Sequence, residues 1–82
     1  MTGNTIRTRL AELVEESSDG VIPAELARTG GTSLSALGLT SLSRMRLVDA
    51  VEAEYDVEID LDAEGWGLLD DLDALAAHLA AR

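Results

Sequence analysis

The chain has 82 residues, with 16 acidic against 6 basic side chains and a formal charge of −10. That length supports one small domain, residues 1–82, with a thin core, and the acidic surplus excludes nucleic acid, which needs clustered positive charge. Cysteine is absent, which excludes disulfides, thiolate zinc sites and cysteine nucleophiles. No apolar run reaches the length of a membrane span and no signal-peptide pattern opens the chain, so a cytoplasmic location is expected. Phe is absent and Tyr55 and Trp66 are the only aromatic residues, so aliphatic side chains must supply the core. The negative charge favours solubility and basic partner surfaces.

In chain order, residues 5–17 place Ile6, Leu10, Leu13 and Val14 at helical spacing, which predicts a first amphipathic helix capped by Asn4 or Thr5. Arg7 and Arg9 with Glu12, Glu15 and Glu16 form its expected solvated face. Asp19 and Gly20 break this helix, and a long connection runs to Thr40. Within it, Pro23 fits the first position of a short helical turn over residues 24–28. Gly30 and Gly31 then release the chain as a flexible connector, with no lysine or Walker spacing after them to suggest phosphate cradling. A connection this long needs anchors, and Val21, Ile22, Leu26, Leu34 and Leu37 are the expected ones.

The stretch LGLTSLSRMRLVDAVEAEY, residues 37–55, is the centre of the chain. Gly38 signals a turn, Thr40 is a suitable N-cap, and Ser41 falls at the start of an uninterrupted helical pattern. Unpaired N–H groups and the positive pole of the dipole lie at that end, so a serine there suits attachment of a phosphorylated group. Helical phase puts Met45, Val48, Val51 and Tyr55 on a core-facing arc with Leu47 at its edge, and Leu42, Arg46, Asp49 and Ala53 on the outer face. Arg44 projects into the apolar arc, where its stem can lie along apolar surface while the guanidinium reaches water or a carboxylate.

Acids at 56, 58, 60, 62 and 64 follow. An EF-hand loop starting at Asp56 would need glycine sixth and glutamate twelfth, where this chain has Leu61 and Gly67, so the calcium reading fails. Val57, Ile59 and Leu61 instead alternate inward, as in an extended connection. A short helix over residues 62–66 is only weakly signalled, because Gly65 and Gly67 flank Trp66. Asp70 or Asp71 caps a last helix whose buried stripe is Leu72, Leu75 and Leu79, with its N-terminal acids favoured by the dipole. The single histidine, His78, has no partner at metal spacing and is expected on the surface. The sum is an all-α bundle of three main helices plus a short one, with a long loop after the first helix.

The segment from Leu34 to Ile59 resembles the core of the acyl and peptidyl carrier proteins, and weaker similarity runs from about residue 4 to residue 80. The family motif Leu-Gly-x-Asp-Ser-Leu maps onto Leu37, Gly38, Leu39, Thr40, Ser41 and Leu42. The resemblance implies a 4'-phosphopantetheine arm on Ser41, added from coenzyme A by a phosphopantetheinyl transferase. It also implies loading, modifying and condensing enzymes that use acyl or aminoacyl thioesters on the arm. Leu42, Arg46, Asp49 and Ala53 are then the partner-facing residues, and Met45, Val48 and Trp66 the candidates to line an interior that admits a tethered chain. Two departures stand out: Thr40 replaces the usual aspartate, and Arg44 and Arg46 stand on a helix that is mostly acidic in carriers of fatty-acid synthesis. These favour a carrier of secondary metabolism, polyketide or nonribosomal peptide, over one of bulk fatty-acid synthesis. Because the chain starts at Met1 and ends just after its last helical pattern, a discrete, monomeric carrier is expected.

No residue set in the chain supports catalysis or metal binding: there is no nucleophile–histidine pair, ligand cluster or phosphate loop. The competing expectation is an acidic helical interaction module without a prosthetic group, in which Ser41 is a plain helix-start residue.

Overall fold

The structure, a computed structural model, describes residues 3–29, 33–60 and 62–81, and no strand occurs among them. Six helices follow in order: α1 (Gly3–Ser17), α2 (Ala24–Thr29), α3 (Leu34–Leu37), α4 (Ser41–Tyr55), α5 (Ala63–Asp70) and α6 (Leu72–Ala80). The expected bundle is present, with α1 packed against α2, α4 and α6.

Each long helix turns an aliphatic stripe inward. Leu10, Ala11, Leu13 and Val14 come from α1, Leu47, Val48 and Val51 from α4, and Leu72, Leu75, Ala76 and Leu79 from α6, all buried. Burial of the Leu and Val side chains among them stabilises by about 1.5–3 kcal/mol each, and these helices hold together by that packing rather than by propensity. Tyr55 and Trp66 are half-buried and pack against this core, whose buried side chains are all aliphatic.

The long connection is more structured than the sequence pattern predicts. Asp19 (φ 54°) and Gly20 (φ 83°) reverse the chain after α1, and Ser18 accepts the amide of Ile22 at 3.1 Å through its hydroxyl. Ile22, Leu34 and Leu37 anchor the segment as expected, but Val21 and Leu26 are exposed. The reason is rotational: α2 turns Ala27 into the core, which swings the neighbouring Leu26 outward. The expected glycine connector at Gly30 and Gly31 lies outside the described residues.

Two further boundaries differ. α1 begins at Gly3, so Asn4 and Thr5 lie within it rather than capping it. The weakly signalled third helix runs eight residues, because Asp62 caps it by accepting the Gly65 amide at 2.9 Å and both glycines are helical. Asp71, not Asp70, caps α6, accepting the amides of Asp73 and Ala74. Between α4 and α5, Glu52 accepts the amide of buried Ile59 at 2.8 Å and holds the extended connection against the bundle, with Val57 half-buried. The predicted inward turn at Leu61 lies outside the described residues.

Candidate functional site

The segment before α4 explains how Ser41 is presented. Ser33 caps α3 by accepting the Ala36 amide at 3.2 Å. Five residues later Gly38 takes φ 118°, a conformation that suits glycine. The amide of Leu39 then reaches back to the carbonyl of Leu34 at 2.9 Å, a Schellman closure that ends α3. Leu39 is buried and pins the turn to the core. The next residue, Thr40, is extended (φ −85°, ψ 169°) and caps α4 by accepting the Ser43 amide at 3.1 Å, while its hydroxyl donates to that of Ser43 at 3.0 Å.

Ser41 is thus the first residue of a 15-residue helix, exposed, with no acidic residue in the first turn. Its hydroxyl makes no hydrogen bond among the described residues, whereas those of Thr40 and Ser43 satisfy each other. The amides of Ser41 and Leu42 precede the first intrahelical bond, from Arg44 to the Thr40 carbonyl at 2.9 Å.

Around it, Leu42, Arg46, Asp49 and Ala53 are exposed along one face of α4, as their phase predicts. Leu42 is 63% exposed. Arg46 is not idle: it donates to Asp19 at 2.9 Å, joining α4 to the turn after α1. The inner face differs from expectation. Met45 is exposed, while Leu47, Val48 and Val51 are the buried residues of the helix. α4 packs against both α1 and α5, and Met45 lies beyond the residues it buries there. Of the residues expected to line an interior, Val48 is buried in the core and Trp66 stands half-buried on α5, while Met45 is outside.

Arg44 reaches the carboxylate its position demanded. Its Nη2 lies 3.3 Å from Oδ1 of Asp70, the guanidinium sits 5.0 Å above the Trp66 ring, and its Nε is buried without a hydrogen-bond partner. The same Asp70 oxygen accepts the Ser35 amide at 2.7 Å, so one carboxylate joins α3, α4 and α5. Asp70, Ser35 and Asp19 were not legible as site neighbours. The one available signal was Arg44 itself, a cation in an apolar arc.

A cleft of about 350 Å³ opens elsewhere, among Glu58, Asp60, Asp62, Leu68 and the exposed His78. Its three carboxylates would repel a phosphodiester. Among the described residues no group of His, Cys, Asp or Glu is arranged to hold a metal ion, and no helix is long and apolar enough to cross a membrane.

A family model described as a phosphopantetheine attachment site matches residues 4–79. The chain belongs to this family. It is a carrier for a covalently held 4'-phosphopantetheine group, and not an enzyme. No curated protein and no solved structure matches the chain. The residues at the start of α4 fit the group. A hydroxyl and two amides with no hydrogen-bond partner among the described residues stand together with the positive helix pole, and the uncharged cap at Thr40 adds no negative charge where a phosphate would sit. Carriers of this kind work with a phosphopantetheinyl transferase and with biosynthetic enzymes.

Proposed function

We propose that Ser41 is the attachment residue and that this carrier holds acyl or aminoacyl intermediates for a secondary-metabolite pathway, polyketide or nonribosomal peptide. The supporting observation is the exposure of the Ser41 hydroxyl at the first position of α4, in a chain whose family carries the prosthetic group. When bound, that group supplies a terminal thiol on which cargo is held as a thioester. The chain's own residues do the rest. Gly38 and Leu39 fix the turn, Thr40 caps the helix and leaves the Ser41 and Leu42 amides as donors that would hold the phosphate, and Leu42, Arg46, Asp49 and Ala53 offer the surface that partner enzymes would cover.

The pathway class rests on Arg44 and Arg46, cations on a helix that is mostly acidic in the fatty-acid-synthesis carriers the sequence resembles. Intact mass tests the site. The wild-type protein incubated with coenzyme A and a phosphopantetheinyl transferase should gain the mass of one phosphopantetheine, and Ser41→Ala should gain none. Modification of the alanine variant, or none of the wild type, overturns the assignment.

A further inference from the structure

α3 is a single turn of four residues, too short to be stable by itself. Its order comes from partners at both ends. Ser33 caps it through the Ala36 amide, Leu34 is buried, and the Ser35 carbonyl accepts the Gly38 amide at 3.1 Å. Those bonds are local to the segment. The tie to another element is Asp70, the last residue of α5, whose Oδ1 accepts the Ser35 amide at 2.7 Å. That amide is one of the orphan donors of a helix start, and an ionised carboxylate is among its strongest acceptors.

Asp70 is built to hold a fixed position. Leu69 before it is fully buried and Asp71 after it caps α6, so its backbone is anchored on both sides. Its side chain is only 28% exposed, which limits competition from water, and Nη2 of Arg44 approaches the same oxygen at 3.3 Å. The carboxylate therefore sets α3 against α4, the helices on either side of the turn at Gly38–Thr40. A short relay connects it to Ser41. Asp70 holds the Ser35 amide, the Ser35 carbonyl holds the Gly38 amide, and Gly38 leads through buried Leu39 to the Thr40 cap. Any shift of α3 is delivered to Ser41, while the outer face of α4 stays in place.

Resting on the assignment of Ser41 as the attachment residue, we propose that Asp70 is a positioning residue for transfer of the arm. It bonds neither Ser41 nor the outer face of α4. Its part is to hold the turn so that the Ser41 hydroxyl meets the reacting phosphorus at the right place. In that transfer the Ser41 oxygen forms a bond to the phosphorus that bears the pantetheine. The bond from this phosphorus to the bridging oxygen of coenzyme A breaks, adenosine bisphosphate leaves with that oxygen, and the hydroxyl proton passes to a base of the transferase. Small misplacement of an attacking atom is costly to such a step.

Initial rates of loading, read by intact mass with coenzyme A and a phosphopantetheinyl transferase, separate positioning from stability. The carrier is the substrate, so partial unfolding lowers its competent fraction and raises the apparent KM at constant kcat. A carrier that docks normally but presents its hydroxyl wrongly lowers kcat at constant KM. Asp70→Ala should lower kcat about tenfold or more, with KM within about twofold of wild type. Asp70→Asn keeps the shape and an acceptor oxygen, so it should recover most of that loss and remain about threefold down. In the apo variants the Ser35 amide should exchange with solvent faster, more so for Ala than for Asn. The amide resonances of Leu39, Thr40 and Ser41 should shift, while those of α1 hold. If Asp70→Ala does not fold, the lowered kcat and faster Ser35 exchange of Asp70→Asn still decide. An unchanged kcat with a raised KM overturns the inference, as does a kcat loss in Asp70→Asn equal to that in Asp70→Ala. A wild type that takes no arm, or a Ser41→Ala variant that takes one, overturns the attachment assignment instead.

Discussion

Gly65 and Gly67 sit two positions apart in α5 and should respond oppositely to alanine. A Cβ on Gly65 would lie 1.6 Å from the carbonyl oxygen of Asp60, a backbone atom that cannot rotate away. Gly65→Ala must therefore push the 56–60 connection off α5 and should cost about 3 kcal/mol, as overpacking against rigid neighbours does. At Gly67 the space is open and φ is not positive, so alanine brings only its better helix propensity, a gain of about 0.5–1 kcal/mol. Urea unfolding of the two variants decides: equal effects would mean that neither glycine is held by its surroundings. The sequence marks both residues only as helix breakers. What separates them is a carbonyl five residues upstream of Gly65, brought close by the fold. Ser41 and Thr40 were legible for the opposite reason, since a cap and the residue it presents are adjacent in the chain.

Among the elements, α1, α4 and α6 are readable because their apolar spacing is local, and the caps of α4 and α6 are local too. The four-residue α3 was missed because it is too short to show a period, although Ser33 before it and Gly38 after it are the signals that bound it. Met45 of α4 was also misplaced. Hydrophobicity alone points it inward, whereas the contacts of α4 with α1 and α5 bury Leu47, Val48 and Val51 and leave Met45 exposed. One of those contacts is the seam where Arg9 of α1 grips Glu54 of α4, with Nε and Nη2 at 2.9 and 3.1 Å from its two oxygens. The Arg9 hydrogen bonds hold the Glu54 carboxyl below its ordinary range. A carboxyl depressed in the fold stabilises above its unfolded pKa, and that stability is lost as pH falls through the folded value. Next to it, burial pushes the Tyr55 phenol up, so its contribution is present below the unfolded value, about 10, and is lost as pH rises through the folded one. Glu54→Gln should then lower the Tm at neutral pH, with the difference from wild type vanishing in acid. Tyr55→Phe should flatten the alkaline limb. A Glu54→Gln difference that stays constant from neutral pH to well below the ordinary carboxylate range would assign its effect to packing rather than charge.

Over the whole molecule, the fold class was legible because a small chain with periodic helices and no strand pattern has few ways to bury its stripes. The pairing of distant charges was not, since Arg46 meets Asp19 and Arg7 meets Asp73 only after the bundle closes. A formal charge of −10 gives the molecule a negative field that draws basic partner surfaces. Arg46 is a local exception on the face beside Ser41. Its ion pair with Asp19 joins side chains 49% and 79% exposed, so the pair is worth only about 0–1 kcal/mol and yields easily to a partner. Arg46→Glu should therefore leave the Tm nearly unchanged. It should lower kcat/KM for loading by the cognate enzyme about threefold or more, through the association rate. With enzymes of fatty-acid synthesis, whose surfaces meet acidic carriers, the same change removes a like-charge contact and should raise kcat/KM. Both effects should fade in high salt, where exposed charges are screened within a few ångströms. Asp19→Asn is the control: it frees Arg46 without altering its charge, and loading should hold or improve. If Asp19→Asn impairs loading as much as Arg46→Glu, the ion pair's structural role explains the defect. The arginine would then have no part in choosing the partner.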